Sequence, residues 1–336
     1  MTMWITTTTT TLSLRSILTR RGGLPSLFSF SKPKAAACTI TTKAAKLLIS
    51  GPDASGIVAS FSQLLYNHGC GIVDCISESS ENDDDERADS QHNRRMFFQR
   101  VLFDYSNVSV ERNVIEEEIN NLSQKFGMQS ELVWGDRRRK MAIFVSKYDH
   151  CLWELLLRQQ NGELQCDIPI IISNHDKVAN IADTFNVPFR VFPITKENKM
   201  EQERKQIALM DEHSVDVIVL ARYMQVLSPS FCSRFENRII NIHHSFLPAF
   251  QGSSPYRRAH ERGVKLIGAT AHYTTSDLDE GPIIEQDIMR VSHRDDVRDL
   301  IRKGRTLERN VLISAVNAFL EDRIIRHQNK CIVFAE

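Results

Sequence analysis

Between residues 141 and 242, short apolar runs rich in β-branched residues alternate with longer segments whose apolar residues recur at helical spacing. This alternation predicts an α/β domain with a doubly wound, mostly parallel sheet. Apolar residues at helical spacing also predict a closing helix near the C-terminus. The predicted strands are 141–146, 168–173, 189–192, 215–220 and 239–242, and the predicted helices are 151–159, 178–185, 199–212 and 290–319.

A smaller domain is predicted ahead of this sheet, over residues 45–134. Its elements follow the order β-α-β-β-α-β, which is typical of a ferredoxin-like α+β domain. The acidic, polar segment at 78–92 predicts a solvated loop inside it. The predicted strands are 45–50, 71–76, 96–104 and 129–133, and the predicted helices are 57–68 and 110–126.

Residues 135–140 form the boundary before the second domain, which is predicted over 141–336. Four consecutive cations, Arg137 to Lys140, could contact phosphate, but a solvated basic linker is the preferred interpretation. The whole chain carries 42 basic and 42 acidic residues, which argues against nucleic acid as a partner. No apolar run approaches the about 20 residues of a membrane-spanning helix, so no membrane partner is expected.

Residues 1–42 differ from the rest of the chain in composition. They are rich in Thr and Ser and carry several cations but no acidic residue, since the first acid of the chain is Asp53. This bias predicts an organelle transit peptide rather than a secretory signal. Arginine interrupts an amphipathic segment at 12–18, and this favours a mitochondrial over a plastid destination. A polar tail without a targeting role is the alternative.

The chain contains 7 cysteines, which are scattered and include no Cys-x-x-Cys pair. An odd number of thiols in a chain long enough for a large core predicts reduced cysteines. The doublet His243-His244 with Asp279 could form a metal site. However, the usual zinc spacings are absent, and adjacent residues of a strand point to opposite faces. We therefore predict neither a metal nor a cofactor.

Polar side chains with catalytic potential follow the strand predicted at 239–242. Asn241 and His243 are two residues apart, so they share one face of the strand near its carboxyl end. Ligands of open α/β sheets bind at that edge. An amide and an imidazole there could stabilise an oxyanion, and Asp279, after a further strand, could handle a proton. Taken singly, each residue is more often structural, as a hydrogen-bonded strand end or a turn.

Taken in order, these residues resemble the motif of the folate-dependent formyltransferase superfamily: Asn-x-His, then Ser-x-Leu-Pro, then Leu-Asp-x-Gly-Pro. The doublet His243-His244, the run at 245–250 and the segment 268–273 further resemble the branch that hydrolyses 10-formyltetrahydrofolate. The resemblance extends from about Lys46 to the C-terminus. The matching motif residues are Asn241, His243, Ser245, Leu247, Pro248, Leu278, Asp279, Gly281 and Pro282.

The resemblance implies hydrolysis of 10-formyltetrahydrofolate to tetrahydrofolate and formate, with the folate as substrate and not as cofactor. Asn241 and His243 would donate hydrogen bonds to the oxyanion. Asp279 would orient His243 and accept the proton of water, directly or by relay.

The predicted substrate pocket rests on the same resemblance. In the superfamily the loop at 221–227 lines the folate pocket, largely through backbone groups. His244 stands where the transferases often have Pro, and its role, structural or catalytic, stays open. The predicted substrate-binding residues are Met224, Leu227, His272 and Gly281.

One departure from the transferases favours hydrolysis. Glycinamide ribonucleotide formyltransferases hold the substrate phosphate in a glycine-rich turn after the first strand, through backbone N–H groups. The turn at 146–150 contains no glycine, so water is the expected acceptor. Formyl transfer to an amine or to tRNA is the alternative activity. A catalytically idle amino-acid sensor is the alternative without activity, and the complete set of Asn241, His243 and Asp279 disfavours it.

The turn at 51–56, Gly-Pro-Asp-Ala-Ser-Gly, gives residues 45–134 a resemblance to the ACT domain, a family that commonly binds amino acids and pairs between chains. The resemblance implies an amino-acid effector, such as glycine or methionine, and a homo-oligomer. Free N–H groups at the start of the following helix favour a carboxylate. A domain that only mediates pairing is the alternative.

Overall fold

The computed structural model describes residues 43–80, 95–249 and 254–335. The predicted transit peptide at 1–42, most of the predicted acidic loop and the end of the motif run at 245–250 lie outside these described residues. Within the three described segments, no helix is long and apolar enough to cross a membrane.

The first four strands and two helices form one unit. They are β1 (Ala44–Pro52), α1 (Ile57–Asn67), β2 (Gly71–Ser79), β3 (Met96–Asp104), α2 (Arg112–Phe126) and β4 (Gln129–Trp134). The sheet order is β2-β3-β1-β4, and every pair of neighbours is antiparallel. This arrangement has the β-α-β-β-α-β order that the sequence predicts.

The helices pack on one face of this sheet because their apolar residues recur on one side. In α1 the buried residues Ile57, Phe61 and Leu65 are four residues apart, and a helix places such residues on the same face. They share one core with Leu47 and Phe103 of the sheet.

The next seven strands form a second sheet. They are β5 (Arg139–Val145), β6 (Cys166–Ser173), β7 (Phe189–Val191), β8 (Val217–Ala221), β9 (Ile239–His243), β10 (Leu266–Tyr273) and β11 (Ile283–Arg290). The order is β11-β10-β9-β8-β5-β6-β7. The five strands β9, β8, β5, β6 and β7 are parallel, whereas β10 is antiparallel to both of its neighbours, β9 and β11. The predicted doubly wound, mostly parallel sheet is confirmed. The accompanying helices are α3 (His150–Gln160), α4 (Ala179–Thr184), α5 (Lys199–Glu212), α6 (Pro229–Arg234), α7 (Pro255–Arg262) and α8 (Val297–Leu320).

Apolar residues cover both faces of the seven-stranded sheet, because consecutive residues of a strand point to opposite sides. In β5, Ile143 and Val145 belong to a core that also contains Leu307 of α8. Ala142 and Phe144 belong to a second core, which includes residues of α5 and α6. A sheet buried on both faces needs nearly continuous apolar strands, and this explains the uninterrupted runs in the sequence.

The predicted linker at 135–140 is shorter than expected, because β5 already begins at Arg139. Arg137 lies 2.6 Å from Asp216, and Arg139 is paired with Asp322. Carboxylates of neighbouring segments thus balance these cations. This pairing favours the structural interpretation of the basic segment over a phosphate site.

The C-terminal helix starts later than the predicted residue 290, since β11 continues to Arg290 and α8 begins at Val297. The side chain of Asp296 accepts a hydrogen bond from the backbone N–H of Asp299, and the Asp299 carboxylate accepts one from the backbone of Asp296. This reciprocal capping box satisfies two free N–H groups and sets the start of the helix.

A hairpin after α8, which the sequence pattern does not predict, covers the other face of the four-stranded sheet. Its strands are β12 (Ile324–His327) and β13 (Lys330–Val333). Ile325 packs with Phe98 of β3. Arg100 of β3 donates from Nε to the backbone carbonyl of Asp322 at 3.0 Å. The segment that follows α8 is therefore fixed to the four-stranded sheet.

Candidate active site

The residues predicted to be catalytic lie at the carboxyl end of β9, beside β10. β9 ends at His243, and antiparallel pairing with β10 places His272 opposite Asn241. Residues that are directly opposite in a sheet have side chains on the same face. The Asn241 amide therefore meets the His272 ring, and Nδ2 of Asn241 lies 3.1 Å from Nε2 of His272.

Asp279 reaches this pair from the loop between β10 and β11. Its Oδ1 lies 3.2 Å from Nδ1 of His243 and 3.7 Å from Nε2 of His272. The residue has a φ of 59°, a left-handed conformation in which Asp is more common than most residues. The structure thus brings together Asn241, His243 and Asp279, as the sequence predicts.

Hydrogen bonds fix the orientation of His272 and, through it, that of Asn241. Nδ1 of His272 donates to the backbone carbonyl of Tyr273 at 2.9 Å. Burial lowers the pKa of His272, although the Tyr273 carbonyl and Asp279 act in the opposite direction. The ring is therefore neutral at neutral pH, and its Nε2 accepts from the Asn241 amide. Asn241 keeps a second N–H and its carbonyl oxygen for other partners.

Asp279 holds His243 in a defined hydrogen-bonding arrangement. Burial by itself raises the pKa of Asp279, but the hydrogen bond and charge of His243, with smaller effects from other imidazoles, lower it overall. An ionised carboxylate only accepts hydrogen bonds, so Nδ1 of His243 carries the proton in this contact. Nε2 of His243 is buried and has no hydrogen-bond partner among the described residues. In the neutral ring this nitrogen is an acceptor. His243 therefore has the geometry of a base and not of the oxyanion donor that the resemblance implies.

A cavity of about 740 Å³ adjoins these groups. Asn241, His243, His272 and Asp279 line it, together with the loop 222–227 that follows β8. The volume is within the range of pockets that bind small molecules.

The predicted pocket residues Met224 and Leu227 also line the cavity. Leu227 is buried, whereas Met224 is 54% exposed. The backbone N–H of Met224 donates to the Ser146 hydroxyl at 2.9 Å, and this hydroxyl donates to Oδ1 of Asn174 at 2.7 Å. The turn after β5 thereby fixes the loop after β8.

Gly281 has a different place from the other predicted pocket residues. It is not part of the cavity lining in the described chain. A Cβ at Gly281 would lie 1.7 Å from the carbonyl oxygen of Tyr273, so the close approach of this loop to β10 requires glycine. Gly281 thus lets the loop that carries Asp279 fold back on β10, and its contact with a substrate stays a prediction.

The structure corrects the prediction that His243 and His244 point to opposite faces. β9 ends at His243, so strand alternation does not extend to the next residue. Both rings line the cavity with centroids 5.2 Å apart, and the His244 ring lies 6.1 Å from that of Tyr256. Burial lowers the pKa of His244 to about 3, and the charge of Arg222 adds to this effect. His244 is therefore neutral at neutral pH.

A buried network that the sequence pattern does not predict lies on the same cavity wall. We call it the Glu308 cluster, and its members are Glu308, His150, Arg222 and Tyr256. Nε2 of His150 donates to Oε2 of Glu308 at 2.7 Å, and the Tyr256 hydroxyl donates to Oε1 at 2.6 Å. Nε of Arg222 lies 3.3 Å from Oε2, an ion pair without hydrogen-bond geometry. Burial by itself raises the pKa of Glu308, but the three partners outweigh it and lower the pKa to about 2.

One signal in the sequence points to this cluster. Glu308 stands on the buried face of α8, between Leu307 and Val311. A charged residue is rarely buried unless it is paired, so its position in an apolar stripe indicates a partner. The partners themselves come from three other segments and follow only from the fold.

His150, Cys151 and Glu308 offer ligand atoms within 4.8 Å of one another, a spacing that a metal ion could use. The chemistry of the set fits a metal poorly. Burial, with the charge of Glu308, raises the pKa of Cys151, which disfavours the thiolate that metals bind. Both oxygens of Glu308 already accept hydrogen bonds. The cysteines at the described positions are free thiols, as predicted.

Comparison with known proteins identifies the class that this fold and site define. The family model described as Formyl transferase matches residues 139–316, which contain the seven-stranded sheet and the candidate catalytic residues. The formyltetrahydrofolate deformylase of Bacillus subtilis is 48% identical over 289 residues, which are 86% of this chain and 93% of that protein. The crystal structure of a formyltetrahydrofolate deformylase from Pseudomonas syringae pv. tomato has a TM-score of 0.80 and 37% identity, covering 88% of this chain and 95% of that chain. The chain belongs to the formyltetrahydrofolate deformylase family.

A transformylase is similar to a smaller part of the chain. The glycinamide ribonucleotide transformylase 1 from Symbiobacterium toebii has a TM-score of 0.57 and 26% identity, and the match covers 60% of this chain and 97% of that chain. The deformylases therefore match a larger part of this chain than this transformylase does.

The lowered pKa of His244 predicts a pH-dependent stability. Its folded pKa of about 3 lies below the usual value of 6.5, so the unfolded chain binds the proton first as the pH falls. The contribution of neutral His244 to the free energy of unfolding is present above pH 6.5 and is lost as the pH falls towards 3. Between pH 7 and pH 5 the loss amounts to about 2 kcal/mol.

Urea unfolding of the wild type and of His244→Gln at both pH values measures this loss. We expect the variant to lose about 2 kcal/mol less between pH 7 and pH 5 than the wild type. The exposed His260→Gln variant controls for the type of substitution. An equal pH dependence of the wild type and His244→Gln would contradict the neutral state of the half-buried His244.

Proposed function

We propose that the protein hydrolyses 10-formyltetrahydrofolate to tetrahydrofolate and formate. The observation that carries this proposal is the pair of Asp279 and His243, which leaves Nε2 of His243 as a base at the cavity wall. A nucleophile is commonly activated by such a base, which a third group orients. The similarity to named formyltetrahydrofolate deformylases supports the formyl donor.

In the first step water attacks the formyl carbon. Nε2 of His243 accepts a proton from the water while its oxygen bonds to that carbon. Asp279 stabilises the resulting imidazolium, so it acts on the proton through His243. The second N–H of Asn241 donates to the oxyanion, and the loss of one such donor typically lowers turnover by about 10²–10³.

In the second step the tetrahedral intermediate collapses and the bond between carbon and N10 breaks. The imidazolium of His243 returns its proton to N10, so that tetrahydrofolate leaves. Formic acid leaves with the oxygen of the water and loses its proton to solvent. His272 keeps the Asn241 amide oriented throughout, and the loop with Met224 and Leu227 binds the folate.

Formyl transfer to an amine is the alternative activity, and the partial similarity to a transformylase favours it. Incubation of the protein with 10-formyltetrahydrofolate and no acceptor separates the two activities. Hydrolysis releases equal amounts of formate and tetrahydrofolate. A transferase releases neither product without an amine, and with an amine it yields tetrahydrofolate and the formylated amine but no formate. A sensor without activity only binds the folate.

Asp279→Asn should lower turnover by about 10³–10⁴-fold, because the amide no longer stabilises the imidazolium and can hold His243 in the wrong tautomer. Folate binding should persist, since the substitution preserves the shape of the side chain. Formate release and folate binding by calorimetry measure both effects. The exposed Asp287→Asn variant in β11 is the matched control. Retention of more than about a tenth of turnover would exclude the role that we assign to Asp279.

We further propose that residues 45–134 form an ACT-type regulatory unit, which binds an amino acid such as glycine or methionine between paired copies of the chain. The turn residues 53–56 are exposed, and the N-cap residue of α1 is Gly56, which has no side chain to cap the helix. Free N–H groups there favour a carboxylate. The edge strand β2, with Val73 63% exposed, offers a surface for pairing.

An amino-acid effector should change the hydrolysis rate of the wild type. Coupling of this kind typically changes the affinity for the second ligand, here the folate, by about 5–150-fold. Ser55→Asp should abolish the response by placing a negative charge at the start of α1, and it should leave basal hydrolysis intact. Gln63→Glu adds the same charge in the second half of α1 and is the control. If no common amino acid changes the wild-type rate or binds in calorimetry, the unit is not a sensor of amino acids.

We also propose that residues 1–42 direct the protein to mitochondria. The support is compositional: these residues carry cations, Ser and Thr but no acid. When fused to a fluorescent protein, they should direct it into mitochondria, and replacement of Arg15, Arg20 and Arg21 by Glu should prevent this. A plastid signal would identify the alternative destination, and a cytosolic signal would refute targeting.

A further inference from the structure

The hydrolysis proposed above does not use the Glu308 cluster, although this cluster lines the cavity that also contains Asn241 and His243. The His244 ring connects the two parts of the wall, since it lies 5.2 Å from the His243 ring and 6.1 Å from the Tyr256 ring. The cluster is therefore beside the reacting groups, and not in a remote core.

Two features of Arg222 are unfavourable for the fold. Its φ of 63° lies in the left-handed region, where long side chains are uncommon. Its side chain is 8% exposed and that of Glu308 is 2% exposed, so both charges lose their hydration. A cation held in this way indicates a function beyond stability.

The hydrogen bonds of the cluster show what Arg222 presents to the cavity. His150 and Tyr256 both donate to Glu308, so the carboxylate has little capacity left to accept from a ligand. The Tyr148 ring covers the guanidinium, with its centroid 5.3 Å from Cζ. Arg222 has five N–H groups and no acceptor. This part of the wall therefore offers donors and positive charge.

Water and amines differ in their response to such a wall. Water has two lone pairs, so it can attack with one and accept a hydrogen bond with the other. A neutral amine has one lone pair, which the attack consumes, and cannot accept at the same time. The protonated amine is a cation, which Arg222 repels.

We propose that Arg222, which Glu308, His150 and Tyr256 hold in place, selects water over amines as the formyl acceptor. This inference rests on the proposed hydrolysis. Arg222 donates a hydrogen bond to the attacking water while His243 accepts a proton from that water. The guanidinium disfavours both the neutral and the protonated form of an amine. Specificity thus comes from the number of lone pairs on the nucleophile and from its charge.

The test measures how the formyl group is partitioned between water and an added amine. Wild type and variants receive 10-formyltetrahydrofolate with glycinamide, and formate and the formylated amine are quantified. Arg222→Gly combined with Glu308→Gln removes the ion pair without leaving a lone carboxylate, and glycine suits the positive φ. We expect the ratio of formylated amine to formate to rise about 10-fold or more, as the loss of one charged hydrogen bond implies.

Tyr256→Phe is a milder variant, which loosens Glu308 but keeps the ring, and it should shift the ratio in the same direction. Arg222→Lys retains the charge and a donor and should stay near the wild-type ratio. Arg262→Gln, at an exposed arginine of α7 outside the cavity lining, is the control. Wild-type ratios in both the double variant and Tyr256→Phe would overturn the role of Arg222. If the wild type releases no formate without an amine, the proposed hydrolysis itself fails.

Discussion

The contact of 3.2 Å between Asp279 and His243 is the interaction on which the rest of the site depends. It joins the end of a parallel strand to a loop that follows an antiparallel strand. Two features of the backbone make it possible. Gly281 has no Cβ to clash with the Tyr273 carbonyl, so the loop can fold back on β10. The positive φ of Asp279 turns its side chain inwards.

The same strand register also orders the neighbouring groups. Because β10 pairs with β9, His272 faces Asn241, and the Tyr273 carbonyl fixes the proton of His272 on Nδ1. The Asn241 amide is thus oriented by a neutral imidazole, while His243 is oriented by an ionised carboxylate. The two histidines have different roles, because burial dominates the pKa of His272 whereas His243 has the charged partner Asp279.

Much of the fold follows from the sequence, because strands buried on both faces require apolar runs and helices require apolar spacing of three and four residues. The catalytic candidates Asn241, His243 and Asp279 could also be predicted, because strand alternation and a linear motif identify them. The pattern misjudged the start of α8, where the capping residues Asp296 and Asp299 decide the boundary. It also misjudged the direction of His244, because alternation stops where the strand ends.

The Glu308 cluster could not be derived from the sequence in the same way. Its members, at positions 150, 222, 256 and 308, lie on four separate segments, and only the fold brings them together. Helix α8 carries Glu308 at the cavity, and Arg100 of the four-stranded sheet binds the residue pair that follows this helix. Helix α8 thus carries a residue of the cavity wall, and the residues that follow it bind the four-stranded sheet.

The claim that water is the formyl acceptor is tested most directly with isotopically labelled water. When the protein turns over 10-formyltetrahydrofolate in water enriched in ¹⁸O, the account predicts that each formate carries a single oxygen from the solvent. Early time points and free formate as a control separate this incorporation from later exchange. Formate without the solvent label, or tetrahydrofolate released without formate, would contradict the account.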